Sequence, residues 1–131
     1  MIALDSSAII DLFKGDVVLK DLITSLDDKT FVTSIICYQE VFFGLNPKSS
    51  KYSFEREYYE NFFSALDVFD LDKASCEKAS EIFWHLSSKG KTSSAFDCMI
   101  AGNLLTKGVN VLITKNVKHF ESITGLKVIG Y

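Results

Sequence analysis

Met1-Ile-Ala-Leu-Asp5-Ser-Ser-Ala-Ile-Ile10 opens with a short apolar run, one carboxylate, two hydroxyl residues and a second apolar run. Met1 to Leu4 reads as a buried strand. Ser6 and Ser7 are helix-start residues, and the pattern from Ala8 to Phe13 continues that helix to a stop near Gly15. Asp5 therefore stands where a central strand hands over to a helix. In open α/β sheets the carboxyl ends of the strands are the edge at which ligands bind.

Asp5 is also the only charge between Met1 and Ile10. The same situation recurs twice. Glu40 is the sole charge between Phe31 and Leu45, and Asp97 the sole charge between Thr92 and Thr106. Three apolar segments thus carry one carboxylate each, with no basic partner nearby in sequence.

Working outward, Asp16 caps a second amphipathic stretch through Leu26, and Thr30 to Thr33 is a short β-rich run. Ser34 begins a helix that ends at Gly44 and holds Glu40 in its second turn. A loop from Asn46 to Lys51 precedes an aromatic-rich helix that runs to about Leu66. Val68, Phe69 and Leu71 suggest a strand, and Asp72 caps a long helix closed by Lys89-Gly90-Lys91. Ser93 to Lys107 is helical, with Asp97 in its first turns and Gly108 as its stop. Val109 to Ile113 is a strand, Val117 to Ile123 a short helix, and Leu126 to Ile129 a last strand. This alternation predicts a parallel sheet of about five strands between helical layers. Pattern alone does not give the strand order.

The 131 residues suit a single domain with its own core. Hydrophobic content is 47% and charged content 24%, ordinary for a globular protein. No apolar run is long enough to span a bilayer and no targeting segment is read, so the expected location is cytoplasmic and away from membranes. The odd set of cysteines, Cys37, Cys76 and Cys98, reads as small core residues rather than disulfide or zinc partners. A net charge of −3 argues against a protein that coats DNA, but it leaves room for an enzyme that touches nucleic acid locally.

Each lone carboxylate has an ordinary structural reading. Asp5 can cap the helix after it, Asp97 can favour a helix N-terminus, and Glu40 can lie on a solvent stripe. Together they are harder to dismiss, because a carboxylate in apolar surroundings must be paired, neutralised or bound to a metal. Oxygen ligands without His or Cys suit a hard ion, Mg²⁺ or Mn²⁺, which keeps several waters. That is equipment for activating water and clamping a phosphate.

At this point the chain resembles the PIN-domain ribonucleases, and among them the VapC-type toxins of type II toxin–antitoxin (VapBC) pairs. The resemblance spans essentially the full length, as one PIN domain over residues 1–131. It rests on Leu4-Asp5-Ser6-Ser7 with Ile10-Asp11-Leu12, on Thr33-Ser34 through Glu40-Val41 and Gly44, and on Asp97-Cys98-Met99-Ile100-Ala101. Its last piece is Ile113-Thr114-Lys115-Asn116-Val117-Lys118-His119-Phe120. It implies a three-layer α/β/α sandwich and an acidic site of Asp5, Glu40 and Asp97, with Asn116 at a fourth position that is often Asp. Asp5 and Asp97 would be the principal ligands of Mg²⁺ or Mn²⁺, assisted by Glu40, and Ser6 would orient a ligand or water. The implied reaction is metal-dependent hydrolysis of RNA phosphodiester bonds. The implied partners are RNA, a second copy of the chain and a small VapB-like antitoxin. Asn116 brings no charge, which weakens any two-metal description.

Lys115, Lys118 and Lys91 could form a rim for RNA phosphates. Tyr52, Phe54, Tyr58 and Tyr59 are expected to include exposed members. Asp11 is expected to face solvent outside the site, and His119, beside Phe120, to be a packing residue. Three other readings use the same features: a PIN nuclease of RNA maturation or quality control, a non-catalytic PIN-fold module, and an Asp-nucleophile phosphatase or receiver domain. The last lacks the second Asp expected two residues after the nucleophile, because Ser6-Ser7 follows Asp5.

Overall fold

The computed structural model describes all 131 residues. Five strands are present: β1 (Ile2–Leu4), β2 (Phe31–Ser34), β3 (Asp67–Phe69), β4 (Val111–Ile113) and β5 (Lys127–Ile129). The helices are α1 (Ser6–Phe13), α2 (Val17–Thr24), α3 (Ile35–Phe43), α4 (Tyr52–Ser64), α5 (Lys73–Ser88), α6 (Ala95–Thr106) and α7 (Val117–Phe120). All strands pair in parallel, in the order β3-β2-β1-β4-β5. The expected α/β architecture is therefore present.

The order is what positions the site. From β1 the chain steps outward through β2 to β3, then crosses back to lay β4 and β5 on the other side of β1. The strand order reverses between β1 and β4, and in open α/β sheets the carboxyl edge at such a reversal is where ligands bind. β1 is the middle strand, so Ile2, Ala3 and Leu4 are all buried, as a strand covered on both faces requires. Ala3 pairs with Val32 on one side and with Leu112 on the other.

Two helices pack unusually close. A Cβ on Gly102 of α6 would lie 2.6 Å from the Ala79 backbone nitrogen and 2.8 Å from the Ser75 carbonyl oxygen of α5. Only glycine permits that approach. Asn103, fully buried beside it, donates from Nδ2 to the Asp70 carbonyl (2.9 Å) and to Ser75 Oγ (3.1 Å). The start of α5 is thereby tied to the middle of α6, the helix that carries Asp97.

β4 is shorter than the apolar run Val109 to Ile113 suggests. The Val109 N–H donates to the Leu104 carbonyl and the Gly108 N–H to the Leu105 carbonyl, with Gly108 at φ +77°. That is a Schellman stop, so Val109 closes α6 rather than opening the strand. The cysteine expectation also needs correcting. Cys37 and Cys98 are buried, but Cys76 is exposed on α5, because a helix presents its outer face to solvent whatever its neighbours in sequence are.

Candidate active site

Asp5 lies immediately after β1 and is only 3% exposed. It caps α1: Oδ1 accepts from the Ala8 N–H (3.0 Å) and from Ser7 Oγ (2.6 Å). Its other oxygen, Oδ2, accepts from Thr114 Oγ1, which stands at the end of β4. The capping reading is thus correct, and the cap leaves Asp5 at the carboxyl end of the central strand. Burial pushes the Asp5 carboxyl above the usual carboxylate range. The Ser7, Thr114 and Ala8 hydrogen bonds pull it back, and the charge of Asp97 adds to the rise.

Glu40 projects from α3 and is half-buried. Its Oε1 accepts from Ser6 Oγ at 3.2 Å, so Ser6 orients the second acid. Burial pushes this carboxyl up too; the Ser6 hydrogen bond lowers it, Asp97 and Asp5 raise it, and His119 lowers it. Asp97 sits in the first turn of α6, where its N–H donates to the N-cap Ser94 Oγ at 3.1 Å. Its side chain is 13% exposed, with Oδ2 3.4 Å from His119 Nδ1. The charges of Asp97 and Asp5 thus reach Glu40, and that of Asp97 reaches Asp5, although the three acids come from an N-cap, a second turn and a first turn of helices far apart in sequence. No three His, Cys, Asp or Glu side chains close into a ready-made metal cage.

Asn116 begins α7. Its side chain is exposed and makes no capping bond, while its N–H donates to Thr114 Oγ1 at 3.0 Å. Lys115 is exposed, with Nζ 3.3 Å from Asp11 Oδ2. Lys118 is exposed and lines a polar recess beside Asp97. Lys91 does not line that recess; its ammonium reaches Ser122 Oγ at 3.3 Å.

Two expectations are overturned. Asp11 does not face solvent: its side chain is 13% exposed, and Oδ2 accepts from the Tyr131 hydroxyl at 2.9 Å while Lys115 approaches the same oxygen. The last strand brings Tyr131 back over α1, a contact no local pattern encodes. His119 is not a packing residue. Phe120 takes the core position, and His119, one position earlier on the helix, faces Asp97.

Two residues were missed. Ser7 Oγ donates to Asp5 and accepts the Lys115 N–H at 3.1 Å. Thr114, wholly buried, joins Asp5, Ser7 and the Asn116 backbone. The sequence signal for Thr114 was a hydroxyl at a strand end, meaningful only once β4 is known to lie beside β1. Of the aromatic set, Tyr59 is buried, Tyr52 and Tyr58 are half-buried and Phe54 is 69% exposed. Phe13 packs against three of them, Phe54, Tyr58 and Tyr59.

Comparison with known proteins places this geometry in context. The family described as PIN domain matches residues 2–126. Over 68 residues the chain is 35% identical to the tRNA(fMet)-specific endonuclease VapC of Shigella flexneri, covering 52% of this chain and 51% of that protein. The protein of the same name from Salmonella typhimurium gives 35% over 69 residues, 53% of this chain and 52% of that one. The matched stretch thus spans about half the length of these curated relatives.

Among solved structures, VapBC2 of Rickettsia felis, bound to a DNA fragment from its promoter, superposes with a TM-score of 0.86. It shows 23% identity over 100% of this chain and 99% of that one. VapBC-1 of nontypeable Haemophilus influenzae gives 0.84 at 27% identity, covering 99% and 98%. DNA-bound VapBC of Salmonella typhimurium gives 0.83 at 26% identity, also covering 99% and 98%.

Proposed function

This chain belongs to the PIN-domain family, and from that premise we propose that it is a metal-dependent endoribonuclease, the toxin of a toxin–antitoxin pair. The observation that carries the reading is the convergence of Asp5, Glu40 and Asp97 at the carboxyl edge where the strand order reverses. The relatives named as tRNA(fMet)-specific endonucleases, matched over about half their length, and the VapBC assemblies of the same fold support the activity and the partner class.

The donor set fits a hard divalent ion. It offers carboxylate oxygens, and a cation placed among them would offset both the burial that chiefly raises Asp5 and Glu40 and the smaller repulsion between the acids. Mg²⁺ is typically held by one or two carboxylates, waters and substrate phosphates, so it does not require the full cage of acids that is absent here. Asp5 and Asp97 would hold it, with Glu40 near enough to share the load. When bound, Mg²⁺ or Mn²⁺ supplies water activation and charge compensation for the phosphate.

The protein's own residues do the positioning. Ser7 and Thr114 fix both oxygens of Asp5, and the α1 cap fixes its rotamer. Ser6 sets Glu40. Asn116, with a free amide at the rim, can accept or donate to substrate without adding charge. Lys118 and Lys115 offer positive charge to an RNA strand on an otherwise acidic protein. A VapB-like antitoxin and a second copy of the chain are the partners this reading implies. Phe54, at 69% exposure, and Trp84, at 68%, leave apolar surface for such contacts.

The test is cleavage of tRNA(fMet) and of bulk RNA by purified protein with Mg²⁺, Mn²⁺ or EDTA, beside Asp5→Asn and Asp97→Asn. The expected result is cleavage that needs the metal and disappears in both variants. Absence of cleavage, together with no Mn²⁺ binding by calorimetry, would refute the reading.

A further inference from the structure

Beside Asp97 lies a recess of about 470 Å³ between the Thr92–Ser94 segment, which leads into α6, and Lys118–His119 of α7. Its lining is Thr92, Ser93, Ser94, Asp97, Lys118 and His119, without one hydrophobic residue. We propose that this recess is a subsite for the ribose–phosphate backbone of the RNA strand, next to the bond being cut. The proposal rests on the ribonuclease reading above and adds where, and by which chemistry, the strand is held.

The argument is one of donors without partners. Lys118 is exposed and belongs to none of the ion pairs of the protein. The Thr92 hydroxyl is exposed in the same wall. Ser93 Oγ is buried with no hydrogen bond of good geometry, only the Cys98 thiol lying near it as a weak partner. His119 engages Asp97 through Nδ1, leaving its other ring nitrogen uncommitted. An ammonium, hydroxyls and a ring nitrogen gathered in one concavity match phosphate and ribose oxygens.

The lining also says what the recess is not. A base is gripped by stacking on an aromatic face or by apolar contact; no hydrophobic residue lines the recess, and its single ring, His119, is turned through Nδ1 to Asp97. The volume holds a phosphate with its sugar. Contacts of this kind position a strand without reading its sequence, so sequence preference must come from elsewhere on the rim.

The experiment titrates the protein with ribose 5-phosphate, and with ribose as a phosphate-free control, following backbone amides by NMR. Saturable shifts at residues 92–94 and 117–119 are expected with ribose 5-phosphate and not with ribose. Lys118→Ala should weaken binding about tenfold, the size of one charge-assisted hydrogen bond. Repeating the titration in EDTA tells the recess from a cation held at the acids: capture by the recess persists without metal, and capture through the cation is lost. Shifts scattered over all lysine-rich surfaces, an unchanged affinity in Lys118→Ala, or loss in EDTA would overturn the proposal. RNA cleavage measured in parallel keeps the two ideas apart. Cleavage without binding at the recess removes the subsite, and binding at the recess with neither cleavage nor Mn²⁺ binding removes the ribonuclease reading.

Discussion

Thr114→Val is the most informative single change. Thr114 is wholly buried. Its hydroxyl donates to Asp5 Oδ2, accepts the Asn116 N–H at 3.0 Å and lies 3.3 Å from Ser7 Oγ. Valine keeps the branched shape, so no large cavity forms. What is lost is one hydrogen bond to a buried carboxylate, and with Asp5 at 3% exposure no water takes its place. A hydrogen bond to a charged group contributes about 1.5–3 kcal/mol. The Asn116 N–H sits at an exposed corner and can turn to solvent, so it adds little.

The expected total is a loss of about 2–3 kcal/mol. At a urea slope of about 1.5 kcal/mol per M, that lowers the denaturation midpoint by about 1.5 M with the slope unchanged. The same substitution in an Asp5→Asn background should cost about 1–2 kcal/mol less, because the partner has lost its charge. A midpoint shift under about 0.3 M, equivalent to less than an ordinary neutral hydrogen bond, would refute the idea that Thr114 anchors Asp5. So would an identical loss in both backgrounds.

Three more outcomes are expected. Asp5 and Glu40 have carboxyls raised chiefly by burial, so the folded state keeps their protons longer than the unfolded chain does. Their stability contribution is full below the ordinary carboxylate range and falls as pH rises through the raised values. Urea midpoints of the metal-free protein should therefore decline from mildly acidic toward neutral pH, and Asp5→Asn with Glu40→Gln should flatten that slope; an equal slope in the double variant would contradict it. Gly102→Ala, which gains about 1 kcal/mol of helix propensity elsewhere, should here destabilise by about 1–3 kcal/mol or more, because its Cβ meets backbone atoms of α5 that cannot yield. Thermal unfolding reads it, and a raised Tm would show that α5 and α6 can separate. Tyr131→Phe should cost about 1 kcal/mol through the 2.9 Å bond to Asp11, measurable by urea denaturation; no change would mean that Lys115 alone satisfies Asp11.

Much of the chain was legible locally. Asp5, Ser34, Asp72 and Ser94 precede helices that begin where the sequence places them, give or take a residue, because capping is a contact between a side chain and its own next turn. Gly108 stops α6 for an equally local reason: its φ of +77° suits a residue without Cβ. The three lone acids stood out because uncompensated charge in apolar sequence is costly anywhere in a fold. The resemblance to the PIN family rested on those same segments.

What the sequence could not carry were the relations between elements. Pattern gives five parallel strands, but β1 lies between β2 and β4 because of how long crossovers pack, and that order places the reversal between β1 and β4. Thr114 becomes an anchor for Asp5 only when β4 is laid beside β1, with Leu4 paired to Ile113. Asp11 is covered only because β5 returns Tyr131 to α1. His119 faces Asp97 because α7 turns Phe120 into the core, and a helix that buries one residue must send its neighbour another way. Local chemistry, readable at a spacing of a few residues, determined the elements and the identity of the acids. Long-range packing decided which hydroxyls, lysines and rings surround them, because those contacts join residues about a hundred positions apart in the chain.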